Sequence, residues 1–216
     1  VLDHHRQSKE VIENATLSYI EPYASSACEM VTEILQYIGD GIKIRPEEAD
    51  AIYGGIVVDT TNFTNRTGVR TFEAAAFLRR NGSDVTRVRK LFREDVNEYK
   101  ARADAVSHAQ IYREIYAISV CSAENLTSPT VTGAQAANEL LDIKGVKASF
   151  VLTDYQSQIF ISARSIDEVN VQLIMEKLGG GGHLSVAGSQ LENTTIEEAI
   201  RRLKETIDDM MEKGEI

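Results

Sequence analysis

Short apolar runs alternate with amphipathic stretches of helical period along the whole chain, and this alternation restricts it to an α/β architecture. Val1-Leu2 reads as the tail of a strand, and Ile56-Val57-Val58 as a fully buried strand that ends at Asp59. Further strands are expected over 115–120, 148–153, 158–163 and 185–191, the middle two joined by a turn around Tyr155-Gln156. Met30, Ile34 and Ile38 recur at four-residue steps, which predicts a helix over 25–38, stopped by Gly39 and Gly41. A short helix over 47–52 runs into Gly54-Gly55. Thr71 is placed to cap a helix through Arg80 that ends at Asn81-Gly82, and Asp84 to cap another through about Phe92. A long polar helix over about 96–111 follows, then helices over 132–141, from Asn170 to Leu178, and from Thr195 to about Met211.

This pattern gives a partial parallel-sheet domain over 1–95, a connector helix over 96–113, and a smaller α/β domain over 114–216. Charged residues at 26% and hydrophobic ones at 43% describe an ordinary globular chain. No apolar run approaches the ~20 residues of a membrane span. Cys28 and Cys121 lack CxxC spacing and read as reduced thiols, in keeping with a cytoplasmic setting. A formal net charge of -10 opposes the binding of long nucleic acid, which needs many basic contacts. A small phosphorylated ligand held by a few local donors remains compatible with it.

Asp3-His4-His5 and Asp59 each follow an apolar run read as a strand, and the C-terminal edge of an open parallel sheet is where ligands collect. Imidazole and carboxylate suit manganese, iron or zinc. The same residues would also serve as plain caps of a strand end and a turn. A two-ion site for phosphoryl transfer needs more ligands than these, and no DxD or HxxxD pattern supplies them. The chain begins inside a strand, so it is expected to be a piece of a longer protein whose remaining ligands precede Val1. Gly179 to Gly182 followed by His183 exceeds what one helix cap requires, and can bring backbone N–H groups close to a phosphate. The alternative is a tight turn with an exposed histidine. Arg164, within Ser162-Ala163-Arg164-Ser165, could clamp a phosphate, or sit in a surface ion pair. Arg79, Arg80, Arg87, Arg89, Lys90 and Arg93 read as a solvated face, and His108 has no assigned role.

Taken in order, these motifs resemble the DHH phosphoesterase superfamily over nearly the whole chain. Asp3-His4-His5 matches the motif that names it, and Gly54-Gly55-Ile56-Val57-Val58-Asp59 its next motif. Ser162 to Ser165, Asn170-Val171, the glycine run with His183, and Ala187-Gly188 are similar to the associated C-terminal substrate domain. The segments 26–35 and 63–72 are most similar to cyclic di-AMP phosphodiesterases of the GdpP type. The resemblance implies a two-manganese site between two domains, with His4 and Asp59 as metal ligands. Asp3 and His5 would be catalytic, His5 facing the phosphate, while Ser162, Arg164, Gly181, Gly182 and His183 hold substrate. The implied partner is a cyclic dinucleotide or short oligonucleotide, hydrolysed in the first case to 5′-pApA. A nanoRNase, a 3′-phosphoadenosine phosphatase, and a binding-only fragment are the alternatives. The longer protein would sit on the cytoplasmic face of a membrane, carried by helices upstream, with no membrane contact by this piece. The family's two earlier ligand motifs are not in these residues, and Val186 stands where the family usually has alanine. An exposed edge left by missing strands would favour a homodimer.

Overall fold

The computed structural model describes residues 1–5, 11–38, 43–166 and 168–216. It divides into two compact units, Val1–Arg93 and Glu94–Ile216. The expected stop signals Gly39 and Gly41 lie outside the described residues.

In the first unit, β1 (Leu2–Asp3) pairs in parallel with β2 (Tyr19–Ile20). Four helices follow: α1 (Ala27–Tyr37), α2 (Pro46–Asp59), α3 (Val69–Arg80) and α4 (Val85–Leu91). Ser26 Oγ accepts from Glu29 N at the start of α1, and Asp84 caps α4 by accepting from Arg87 N.

The strand expected over 56–58 is instead the last part of α2, which runs unbroken from Pro46 in the first helical turn to Asp59. A three-residue apolar run cannot distinguish a buried strand from a buried helix face. Ala49, Tyr53 and Ile56 settle it, since they are buried at helical spacing in one cluster with Ala74, Leu78 and Val88. Gly54-Gly55 is therefore no turn. At Gly55 a Cβ would stand 2.2 Å from Cys28 Sγ, so the missing side chain is what lets α1 approach α2. Thr71 is not the cap of α3 either. Gly68 holds that position, and Thr71, three residues on, accepts from Gly68 N through its hydroxyl. That hydroxyl also donates to Glu29 Oε2 at 2.6 Å, which Ser25 Oγ reaches at 2.5 Å. Thr71 thus serves a buried carboxylate, which would be costly without such partners.

In the second unit, α5 (Val96–Ser107) stops four residues short of the expected 111. Beyond it Gln110–Tyr112 forms β3, paired antiparallel with β4 (Tyr116–Val120), where its aromatic and β-branched residues fit the ladder. β4 runs parallel to β5 (Ala148–Tyr155), with α6 (Pro129–Leu140) as the crossover. β6 (Gln158–Ser165) returns antiparallel through Gln156-Ser157, both left-handed at φ 54° and 61°, as a tight hairpin demands. After α7 (Val171–Lys177) come β7 (Gly181–Gly182), β8 (Val186–Glu192) and α8 (Ile196–Glu212). The sheet order is β3-β4-β5-β6-β8-β7.

Alternation along β6 decides its faces. Ile159, Ile161 and Ala163 are buried in one cluster with Val171, Ile174 and Met175 of α7 and Leu203, Ile207 and Met210 of α8. Phe160, Ser162 and Arg164 take the other face. There α6 packs Ala136, Ala137 and Leu140 with Ala117 and Val151 of β4 and β5. The β6 and β8 residues on that face remain half-buried or exposed.

Candidate functional site

Two groups of side chains stand out, one in each unit. In the first, β1 ends at Asp3 and delivers His4 and His5 beyond it. Asp3 Oδ1 accepts from His5 N at 3.0 Å and meets His5 Nδ1 at 2.8 Å, fixing the exposed His5 ring. The side-chain hydrogen bond from His5, then the backbone one, holds the Asp3 carboxyl below the usual carboxylate range. The His4 and His5 ring centroids lie 4.4 Å apart.

His4 is nearly buried and points its Nε2 at Asp59 Oδ2, 3.8 Å away. That separation is too long for a hydrogen bond. His4 Nδ1 is also buried without a partner among the described residues. Such an imidazole and carboxylate, facing but not bonded, fit one edge of a divalent ion. They do not fit a whole site: among the described residues no group of three His, Cys, Asp or Glu side chains could hold a metal.

Asp59 reaches this position from the end of a helix rather than of a strand, so the expected sheet-edge placement is replaced by a helix-end one. Sequence reasoning missed the turn that follows. Thr61, Asn62 and Phe63 are consecutive left-handed residues, at φ 47°, 58° and 64°. This is a costly arrangement for a β-branched and an aromatic residue. Thr60 locks it: fully buried, its hydroxyl donates to Ile56 O at 2.7 Å and accepts from Phe63 N at 2.9 Å. The one available signal was a threonine directly after the aspartate.

In the second unit, sheet register brings together all five residues singled out as substrate contacts. Arg164 pairs with Val186, whose backbone bonds to His183. Ser162 pairs with Gly188, and Gly188 with Gly181; Gly182 pairs with Ala187. The glycine run divides between two tasks and does not form one anion loop. Gly179 N and Gly180 N donate to Glu176 O and Met175 O, which closes α7 in a Schellman motif. Gly181 and Gly182 then form β7. At Gly182, φ is 148°, and a Cβ would meet Ala187 Cα at 2.5 Å. The glycines matter here less as N–H donors than as bare backbone against β8.

Arg164 is half-buried. Its guanidinium donates to Asn138 Oδ1 at 3.1 Å and to Ala163 O at 2.9 Å, with no carboxylate partner among the described residues. Burial pushes its pKa down. A desolvated cation with no carboxylate partner among the described residues favours an anion. The adjacent open face forms a groove of about 590 Å³ whose lining includes Ser162, Gly181 and Gly188.

Residues 1–56 match the DHH family N-terminal domain, and residues 117–213 match the DHHA1 domain. This is a DHH-family chain carrying a DHHA1 domain. The chain is 47% identical over 209 residues to the cyclic-di-AMP phosphodiesterase PdeA of Listeria monocytogenes, covering 96% of this chain and 32% of that one. To the cyclic-di-AMP phosphodiesterase GdpP of Bacillus subtilis it is 46% identical over 216 residues, covering 99% and 33%. The chain thus spans about a third of the length of these curated relatives. An exopolyphosphatase-related protein from Bacteroides fragilis shares the fold, with a TM-score of 0.83 at 23% identity, over 97% of this chain and 63% of that one. No helix among the described residues is long and apolar enough to cross a membrane.

Proposed function

We propose that this DHH chain is the hydrolytic portion of a phosphodiesterase that opens cyclic di-AMP to 5′-pApA. The observation that carries the reading is the approach of His4 to Asp59, 55 positions later, in a chain nearly half identical to proteins named for that activity. The cofactor in this reading is manganese, two ions in the longer protein, with His4 and Asp59 holding one edge. Two such ions supply Lewis-acid activation of water and neutralise the phosphate.

The chain's own groups do the rest. Asp3 orients His5, and His5 meets the phosphate and stabilises its developing charge. Arg164, Ser162, Gly181, Gly182 and His183 hold a nucleotide phosphate, for which the half-buried Arg164 guanidinium, with no carboxylate partner among the described residues, is the strongest argument. Since two ligands do not fix two ions, the 216 residues alone bind without appreciable turnover.

The test compares hydrolysis of cyclic di-AMP and of short linear RNA by the longer manganese-loaded protein. Faster cleavage of the cyclic substrate, lost in His4→Ala and Asp59→Ala, supports the reading. Preference for linear RNA points instead to a nanoRNase or 3′-phosphoadenosine phosphatase of the same family. Robust manganese-dependent turnover by the 216 residues alone refutes the binding-only behaviour.

A further inference from the structure

The open face of the second unit is ordered in three rows across its strands. The first is Arg164 and Val186, with His183 beyond. The second is Ser162, Gly188 and Gly181, all small. The third is Phe160 and Gln190. Rows two residues apart are separated by about 6.8 Å along a strand. The middle row is flat because its residues are small, and at Gly188 it is held so: a Cβ there would stand 2.9 Å from Ile161 O. Phe160 and Gln190 line the groove with Thr130 of α6. The Gln190 side-chain amide makes no hydrogen bond among the described residues, whereas the neighbouring Glu192 is engaged by Gln158 at 3.1 Å. A cationic row, a bare trough one sugar wide, and an aromatic ring beside a free amide follow the order of phosphate, ribose and base.

From this order we propose that Phe160 and Gln190 form a base shelf that selects adenine, an inference that rests on the phosphate reading of Arg164. The ribose of a nucleoside 5′-monophosphate, or of that half of a dinucleotide, lies over Ser162, Gly188 and Gly181. Phe160 gives the base a ring to stack on. The Gln190 amide offers one donor and one acceptor, which match the adjacent N6–H and N7 of adenine. The same edge of guanine presents two acceptors and cannot satisfy both.

The 216-residue chain and its variants are titrated with AMP, GMP and ribose 5-phosphate, followed by NMR. The wild type is expected to bind AMP more tightly than GMP. Phe160→Ala should weaken AMP about fivefold or more, the lower end of a stacked base's contribution. It should leave ribose 5-phosphate unchanged. Gln190→Ala should bring AMP and GMP together. Arg164→Met should weaken all three ligands. If Phe160→Ala keeps AMP affinity, or loses ribose 5-phosphate equally, the shelf is wrong while the Arg164 phosphate contact stands. Equal wild-type affinity for AMP and GMP removes Gln190 as the selector. Failure of the wild type to bind any of the three overturns both readings.

Discussion

Gly55→Ala is the sharpest test of how α1 and α2 meet. In a free helix this change is favourable by up to about 1 kcal/mol, because glycine is a poor helix former. Here the new methyl carbon would sit 2.2 Å from Cys28 Sγ and 3.3 Å from Cys28 Cβ. The overlap exceeds 1 Å, so Cys28 must rotate or the helices must part. Overpacking of this kind costs about 1–3 kcal/mol, which outweighs the propensity gain. The expected net loss is about 1 kcal/mol, or roughly 4–8 °C in the melting of a unit this size. Cys28→Ala removes the obstructing sulfur. In the double variant the sulfur overlap is gone, only the 3.3 Å approach to the Cβ of residue 28 is left, and the propensity gain remains, so the two changes couple by ~1–3 kcal/mol in a double-mutant cycle. Urea denaturation followed by circular dichroism measures all four corners. If Gly55→Ala alone is stabilising, or if the cycle shows no coupling, the close approach described here is wrong. Because α2 ends at Asp59, the manganese site proposed above requires that Gly55→Ala also weaken manganese binding by the longer protein and that Cys28→Ala restore it.

Other outcomes follow from the same geometry. Arg164→Met should leave stability unchanged or raise it by about 0.5–1 kcal/mol in thermal melts, since it removes a desolvated cation that has no carboxylate partner among the described residues. Asp50 accepts from Arg87 Nε at 2.6 Å and from Asp84 N at 2.7 Å, and the Arg87 guanidinium is the main reason its carboxyl lies below the ordinary value. Asp50→Asn should therefore cost about 1.5–3 kcal/mol at neutral pH. A depressed folded value means the stabilisation is complete above the unfolded pKa and fades as pH falls through the folded one. The gap between wild type and variant should therefore narrow in titrations below about pH 4. Burial pushes both thiols up, with Asp59 adding to the effect at Cys28 and Asp104 at Cys121. Iodoacetamide should thus label either slowly at pH 7.5 in the folded chain and quickly in urea, and fast labelling when folded would contradict the burial.

The strands and helices of the second unit were largely readable from its sequence, but the faces of β6 were not, because Ile159, Phe160 and Ile161 are apolar in succession. The first unit was harder at 54–59, where two glycines before three β-branched residues look like a turn and a strand. What marks them as helix is the burial of Ala49, Tyr53 and Ile56 against Ala74, Leu78 and Val88, which the short run 56–58 does not report by itself. The glycine run misled in part: the helix expected through Leu178 takes Gly179 and Gly180 for its C-terminal cap, and only Gly181 and Gly182 pair with β8. His4 and Asp59 were brought together by their placement after two apolar runs read as strands, and the family resemblance made them metal ligands; the structure brings them together from a strand end and a helix end instead.

The hairpin between β7 and β8 works as a ruler. Its closing residues, His183 and Val186, are joined by only Leu184 and Ser185. Only this turn length sets Gly181 against Gly188 and Gly182 against Ala187. One inserted residue would slide the strand by a step, and a bulky group would land where only a bare backbone fits. Loop length at 184–185 should thus tolerate change far less than the identity of the two residues there, the reverse of what an exposed turn ordinarily allows.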